Sequence, residues 1–159
     1  VDAVSDMEGV AVFNLYELSQ EIAFNVDEWS KIISDASAVI YQFPFYWMSA
    51  PSLLKKWQDE VFTFLSKTPA VAGKSLTVVT TTGSEYEAYR SGGRNRFTMD
   101  ELLRPYQVSA IHSGMSWQTP IVVYGMGTAD AGKNIAEGAN LYKQRVEMLI
   151  GSSNAGNNW

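Results

Sequence analysis

Apolar residues along the chain gather in four short runs, Val10 to Leu15, Ala38 to Phe43, Leu76 to Thr81 and Ile121 to Tyr124, separated by longer amphipathic stretches. Three of the runs are rich in β-branched residues. Continuous apolar runs, in place of in-out alternation, suit parallel strands covered on both faces. Between the first two, Asn25 followed by Asp27 and Glu28 marks a helix start, because the amide side chain caps free N–H groups and the acids complement the helix dipole. After the second run, Ser49 is expected to cap a helix with Pro51 in its first turn, and Leu54, Trp57, Val61 and Leu65 then share one face. Thr98 and Glu101 have capping-box spacing, with Pro105 expected to limit that helix to about two turns. Ile135, Ala139, Tyr142, Val146 and Leu149 predict a last helix that Gly151 ends, followed by an Asn-, Gly- and Ser-rich tail, 152–159, expected to fray. Strand-helix alternation of this kind predicts an open α/β sheet with right-handed crossovers. Ligands of such sheets bind beyond the carboxyl ends of the strands, so the informative residues follow each apolar run.

The chain has 159 residues, 46% of them hydrophobic, the size of one domain with one core. We expect that domain over 1–150 and a flexible tail over 151–159. A net charge of -5 and a pI near 4.8 argue against a surface built to neutralise nucleic-acid phosphates. Cysteine is absent, which removes disulfides, thiolate metal sites and cysteine nucleophiles together. His112 is the single histidine, so neither a zinc site nor a Ser-His-Asp triad is expected, and His112 itself reads as structural or surface. No apolar run approaches the roughly 20 residues that span a bilayer, and the first residues lack a basic start. A cytoplasmic protein that is not membrane-embedded is the expectation.

Chemistry is concentrated after the second run, in Gln42-Phe43-Pro44-Phe45-Tyr46-Trp47-Met48-Ser49-Ala50-Pro51. A flat ligand would stack on these rings. On composition alone a core cluster sealing the turn is the stronger reading, since aromatics contribute to cores more often than to sites. Arg90-Ser91-Gly92-Gly93-Arg94-Asn95-Arg96 places three cations around two glycines, which reads first as a solvated, flexible loop and otherwise as a site for a ligand's phosphates. Gly125-Met126-Gly127 lacks the third glycine of a dinucleotide fingerprint.

The segment 42–62, with its Gln-Phe-Pro-x-x-Trp, Ala50-Pro51, Leu54-Lys55, Trp57 and Val61-Phe62, resembles the signature of the flavodoxin-like NAD(P)H dehydrogenase (quinone) family. Within it, the chain resembles bacterial general stress and potassium-efflux ancillary proteins. The likeness continues through Gly73-Lys74, Thr80-Thr81-Thr82-Gly83, Tyr89, Phe97, Leu103, Pro105, Ala110, Gly114-Met115 and Pro120. It implies a flavodoxin-like three-layer sandwich, sheet order 2-1-3-4-5, with a flavin, FMN or FAD, against Pro44, Phe45, Tyr46, Trp47 and Met48. Thr81, Thr82, Gly83 and Ser84 would form a second wall, where glycine lets the backbone approach the ring and amides donate to its pyrimidine end. Tyr89 is implied as the catalytic residue, stabilising charge on the flavin, against the alternative of a half-exposed loop tyrosine. Some relatives carry a histidine where this chain has Asn95, which cannot act as an acid or base near neutral pH.

The resemblance further implies NAD(P)H as reductant, a quinone-type acceptor, a homodimer and, as an alternative function, docking on a cytoplasmic domain of a potassium-efflux transporter. Family members begin with a strand and a Gly-His-Pro phosphate loop, neither of which precedes Val10 here. With Val10 to Leu15 as an outer strand, a gap of roughly 10 Å, two strand spacings, would be left in the sheet. On the order of 25 to 30 residues, one strand plus a crossover, are therefore expected to be missing from the sequence.

Overall fold

The computed structural model describes residues 2–18 and 23–156. In chain order the elements are α1 (Leu15–Leu18), α2 (Val26–Asp35), β1 (Ala38–Pro44), α3 (Ser52–Trp57), a π-helical turn (Gln58–Phe62), α4 (Thr63–Leu65) and β2 (Ser75–Thr81). A 3₁₀ turn (Tyr86–Tyr89), α5 (Met99–Leu102), α6 (Arg104–His112), β3 (Ser116–Trp117), β4 (Ile121–Val123) and α7 (Ala131–Gly156) follow.

β1 and β2 pair in parallel along their full length, from Ala38↔Ser75 to Pro44↔Thr81. β3 and β4 both pair with β2, at Ser75↔Ser116 and Val79↔Ile121, and so occupy one strand position broken at 118–120. The break is local: Gln118 N–H still donates to the Leu76 carbonyl at 2.9 Å, whereas Pro120 has no N–H to offer. Alternate strand residues face two different layers. Tyr41, Phe43, Leu76 and Val78 pack with Trp29 and Ile33 of α2, Leu54 and Trp57 of α3, and Tyr106 and Ala110 of α6. Val79 and Ile121 pack with Tyr142 and Val146 of α7, together with Val4. This is an open parallel sheet with helices on both sides, as the strand-helix alternation predicts.

Several local expectations hold for the reasons given. Asn25 Oδ1 accepts from the amides of Asp27 and Glu28, and Thr98 and Glu101 form both halves of a capping box. Leu54, Trp57, Val61 and Leu65 are all buried, on a helical segment that widens into the π turn.

Four expectations need correction. Val10 to Leu15 is no strand: residues 10–14 join no ladder and α1 starts at Leu15. Val10 packs on the α7 face, while Phe13 meets Trp29 on the opposite face at 5.4 Å, so the segment crosses between layers. Val10 and Leu15 are partly buried against the helices while Val12 and Phe13 stay exposed, and a hydrophobic pattern alone does not distinguish such a segment from a buried strand. The 10 Å gap in the sheet therefore does not arise, and the three strand positions present match the 3-4-5 part of the expected order. Ser49 caps no helix, because its backbone closes a turn with Tyr46, and Pro51 occupies the N-cap of α3. Pro105 lies at the start of α6, where its missing N–H costs nothing, and α5 has already ended at Leu102. Gly151 does not end the last helix, which continues to Gly156, because an interior glycine only weakens a helix whose other residues carry it.

Candidate functional site

At the carboxyl ends of β1 and β2 two loops lie side by side, joined by the Phe45 N–H bond to the Thr81 carbonyl at 2.9 Å. The first loop is a tight hairpin. Tyr46 and Ser49 exchange two backbone bonds of 2.9 and 3.0 Å around Trp47 and Met48, whose φ values are +46° and +61°. A two-residue turn of this hand is the one that matches strand twist, yet it normally carries Asn or Gly, since a Cβ at positive φ costs roughly 1–2 kcal/mol per residue. Here Trp and Met bear that strain. Backbone strain of this kind collects at functional sites, where surrounding contacts hold it in place. One such contact is the Ala50 N–H donating to the Tyr106 hydroxyl at 3.2 Å.

The turn sorts its aromatic residues into two roles. Phe45 is 7% exposed and belongs to the core, whereas Trp47 is 98% exposed. Tyr46 and Met48 are exposed as well. Neither Trp47 nor Met48 donates its amide to any acceptor among the described residues.

The second loop, Thr82 to Glu85, is held from behind by residues that the sequence reading set aside. Gly125 N–H donates to the Ser84 carbonyl, Met126 to Thr82 and Gly127 to Gly83, each at 2.9 Å. Gly125 has φ +77°, and a Cβ at Gly127 would stand 3.0 Å from the Gly83 carbonyl oxygen. Gly-Met-Gly is thus a backrest in place of a phosphate loop; its position just after the last strand was the signal. With their carbonyls occupied, Gly83, Ser84 and Glu85 present amides that donate to nothing among the described residues. Thr81 is the last residue of β2, and the Thr82 hydroxyl folds back onto the Ser84 carbonyl at 2.8 Å.

Tyr89 joins the two loops. It is 6% exposed, so the half-exposed alternative does not hold, and its ring meets Phe45 at 6.2 Å and Tyr124 at 5.9 Å. Its hydroxyl has no hydrogen-bond partner among the described residues, yet it is not sealed from solvent. Burial, with Asp100, Tyr86 and Tyr89 nearby, pushes the neighbouring Tyr124 phenol up to about 12.

The Arg90 to Arg96 loop is folded over the 3₁₀ turn, through Gly93 N–H to the Arg90 carbonyl at 2.8 Å and Asn95 N–H to the Ala88 carbonyl at 3.0 Å. Arg94 reaches the Ser84 hydroxyl at 2.5 Å. His112 lies exposed at the end of α6. The described residues contain no group of acids or histidines able to hold a metal, and no helix long and apolar enough to cross a membrane.

The chain is thus an open parallel α/β protein with two donor-bearing loops beyond adjacent carboxyl ends of its strands, the end of such sheets at which ligands are generally held. The family model described as flavodoxin-like fold matches residues 1–146, and the chain belongs to that family. General stress protein 14 of Bacillus subtilis is 35% identical over 151 residues, spanning 92% of this chain and 86% of that protein. An uncharacterized NAD(P)H oxidoreductase of the same organism, YdeQ, is 34% identical over 93% of this chain and 77% of its own. A glutathione-regulated potassium-efflux system ancillary protein, KefG of Serratia proteamaculans, is 35% identical over 74% of this chain and 67% of its own.

Among solved structures, general stress protein 14 of Treponema denticola in complex with FMN superposes with a TM-score of 0.83 at 27% identity, covering 93% of this chain and 87% of that one. An NADPH-quinone reductase of P. pentosaceus superposes at 0.72 with 26% identity, covering 88% and 84%. A chain described as a thermophilic tryptophan halogenase from Streptomycin violaceusniger superposes at 0.84 with 36% identity, covering 91% and 86%. Such different activities on one fold mean that function is argued from the site.

Proposed function

We propose that this protein is a flavin-dependent NAD(P)H:quinone oxidoreductase whose flavin ring lies against Pro44 to Met48 and Thr81 to Ser84. The observation that carries this reading is the pairing of two sets of free amides, Trp47 and Met48 on one loop and Gly83 to Glu85 on its neighbour, at adjacent strand ends. A flat heteroaromatic rich in carbonyl and ring-nitrogen acceptors fits such an edge-binding site. The exposed Trp47 indole supplies a face for stacking. The FMN found in the general stress protein 14 structure, and the NAD(P)H oxidoreductase and NADPH-quinone reductase among the similar proteins, support the same chemistry.

A flavin held by these two loops would supply hydride transfer between NAD(P)H and a quinone-type acceptor. The chain's own residues bind and orient it. The two loops supply donors without reorganisation, because Gly125 to Gly127 and the Tyr46–Ser49 bonds already fix their backbones. Tyr89 presents an unpartnered phenol beside Phe45, placed to donate to charge that develops on the ring. Asn95 contributes no proton transfer.

The visible spectrum of the purified protein, before and after adding FMN and FAD, tests the central claim. A bound-flavin spectrum and quinone-dependent NAD(P)H oxidation are expected; no flavin uptake under any condition sinks the reading. The likeness to KefG supports a second one, a cytoplasmic ancillary subunit that docks on a potassium-efflux transporter. Flavin binding without oxidation of NAD(P)H above background would favour it. Light scattering checks the homodimer that the family resemblance implies.

A further inference from the structure

Next to the two loops a cavity of about 280 Å³ opens at the outer side of β4. It is separate from the amide-lined edge but shares Tyr89 with it. Tyr86, Tyr89 and Tyr124 form its aromatic wall, with Tyr86 and Tyr124 edge to face at 5.3 Å. None of the three hydroxyls has a partner among the described residues. The Arg90 guanidinium stacks over the Tyr86 ring at 5.4 Å, while Asp100 and Thr98 stand at the rim.

The charges here are unusual for this chain. Against a net charge of -5, Arg90, Arg94 and Arg96 fall within seven residues, and none forms an ion pair among the described residues. They ride on a folded loop, since a Cβ at Gly93 would come within 2.2 Å of the Glu87 carbonyl oxygen, so only glycine permits the close fold over the 3₁₀ turn. Arg94, bonded to the Ser84 hydroxyl, stands on the side of the proposed flavin wall, and Arg90 on the side of the cavity.

A ligand for this cavity must satisfy an aromatic wall, a carboxylate and guanidinium groups at once. A simple aromatic acid would face Asp100 with like charge, and an aromatic cation would face Arg90. An adenine nucleotide meets all three needs. The base is flat and uncharged, its amino group donates to a carboxylate, and its phosphates take charge-assisted bonds from arginine. The volume, near the lower end of small-molecule sites at roughly 300 Å³, suits a nucleoside but not a whole dinucleotide.

We propose that this cavity binds the adenosine diphosphate group of a dinucleotide, with the base against Tyr86 and Tyr124, the amino group on Asp100, and the diphosphate between Arg90 and Arg94. The inference rests on the reductase reading above, in which two dinucleotides, NAD(P)H and FAD, carry this group.

Calorimetric titration of ADP into the purified full chain tests the site directly, with neither flavin nor turnover required. Saturable binding is expected, weakened about tenfold or more in Arg90→Ala, the loss of a hydrogen bond to a charged group. Inosine diphosphate, which lacks the amino donor, should bind more weakly than ADP to the wild type and equally in Asp100→Ala. No saturable ADP binding, or affinity unchanged in Arg90→Ala with an unaltered thermal melt, overturns the proposal even where flavin binding and NAD(P)H oxidation are intact. Two further arms identify the source. Competition by ADP against NAD(P)H on FMN-loaded protein marks the reductant, and displacement of FAD but not FMN by ADP marks the flavin. Each supports the site; ADP bound without affecting either dinucleotide overturns its assignment to one.

Discussion

Two aromatic assemblies of similar composition lie on the same face of the sheet and differ in what surrounds their polar atoms. In the first, Trp29, Tyr41, Trp57 and Phe62 meet edge to face at centroid distances of 5.2 to 6.4 Å and are buried throughout. Trp57 Nε1 has no hydrogen-bond partner there, and burial raises the Tyr41 phenol well above its ordinary value. In the second, Phe45, Tyr89, Tyr124 and Tyr86 are linked at 5.3 to 6.2 Å, but the three tyrosines line an open cavity together with the charged Arg90 and Asp100. Ring packing is equivalent in both. The lesson is that aromatic content measures burial, while a site is marked by polar atoms left available at a place a ligand can reach.

Substitutions in the two regions should separate stability from binding. The largest loss of stability is expected for Trp57→Ala, which empties a site 3% exposed and should cost about 3–5 kcal/mol in chemical denaturation. A smaller cost would show that the π-helical turn relaxes into the space. Thr77→Val should act in the opposite direction. The Thr77 hydroxyl is fully buried without a partner, so the near-isosteric change should stabilise by about 1 kcal/mol; destabilisation would reveal a bound water or other partner.

At the rim of the second region, Thr98→Ala removes the cap of α5, with an expected cost of about 1 kcal/mol. That cost should depend on pH. The Thr98 N–H and hydroxyl bonds hold the Glu101 carboxyl below the ordinary carboxylate range, so its contribution is full above the unfolded pKa and is lost as pH falls through the folded one. The difference between wild type and Thr98→Ala should therefore narrow in acid, and a difference that widens there would contradict the capping assignment.

The smallest change in stability, within about 0.5 kcal/mol, is expected for Trp47→Ala because the side chain is almost wholly exposed. Its effect should appear instead as weaker flavin retention in equilibrium dialysis. Unchanged affinity together with a large loss of stability would return Trp47 to the core and erase the contrast between the regions.

Local signals in the sequence anticipated what depends on near neighbours. Asn25, Thr98 and Glu101 cap where their spacing says, since a cap is satisfied within three residues. The runs at Ala38, Leu76 and Ile121 are parallel strands, and the residues after the first two form adjoining loops. Where a long-range partner decides, the pattern failed. Val10 to Leu15 had strand-like composition and no ladder, and Ser49 lay near a helix start but was recruited into a turn. Gly125 to Gly127 gained its role only through bonds to a loop some forty residues earlier.

The aromatic segment 43–47 shows the division most clearly. Sequence alone determined that a ring-rich turn would follow a buried strand, because burial periodicity and proline geometry are local properties of the chain. Only the tertiary structure decided that Phe45 turns inward while Trp47 projects to solvent, through positive φ at Trp47 and Met48, the Tyr46–Ser49 bonds and the Tyr106 hydroxyl on Ala50. Nothing in residue type specifies those contacts; they arise when the strand ends are brought side by side and each backbone group must find its partner or remain free for a ligand.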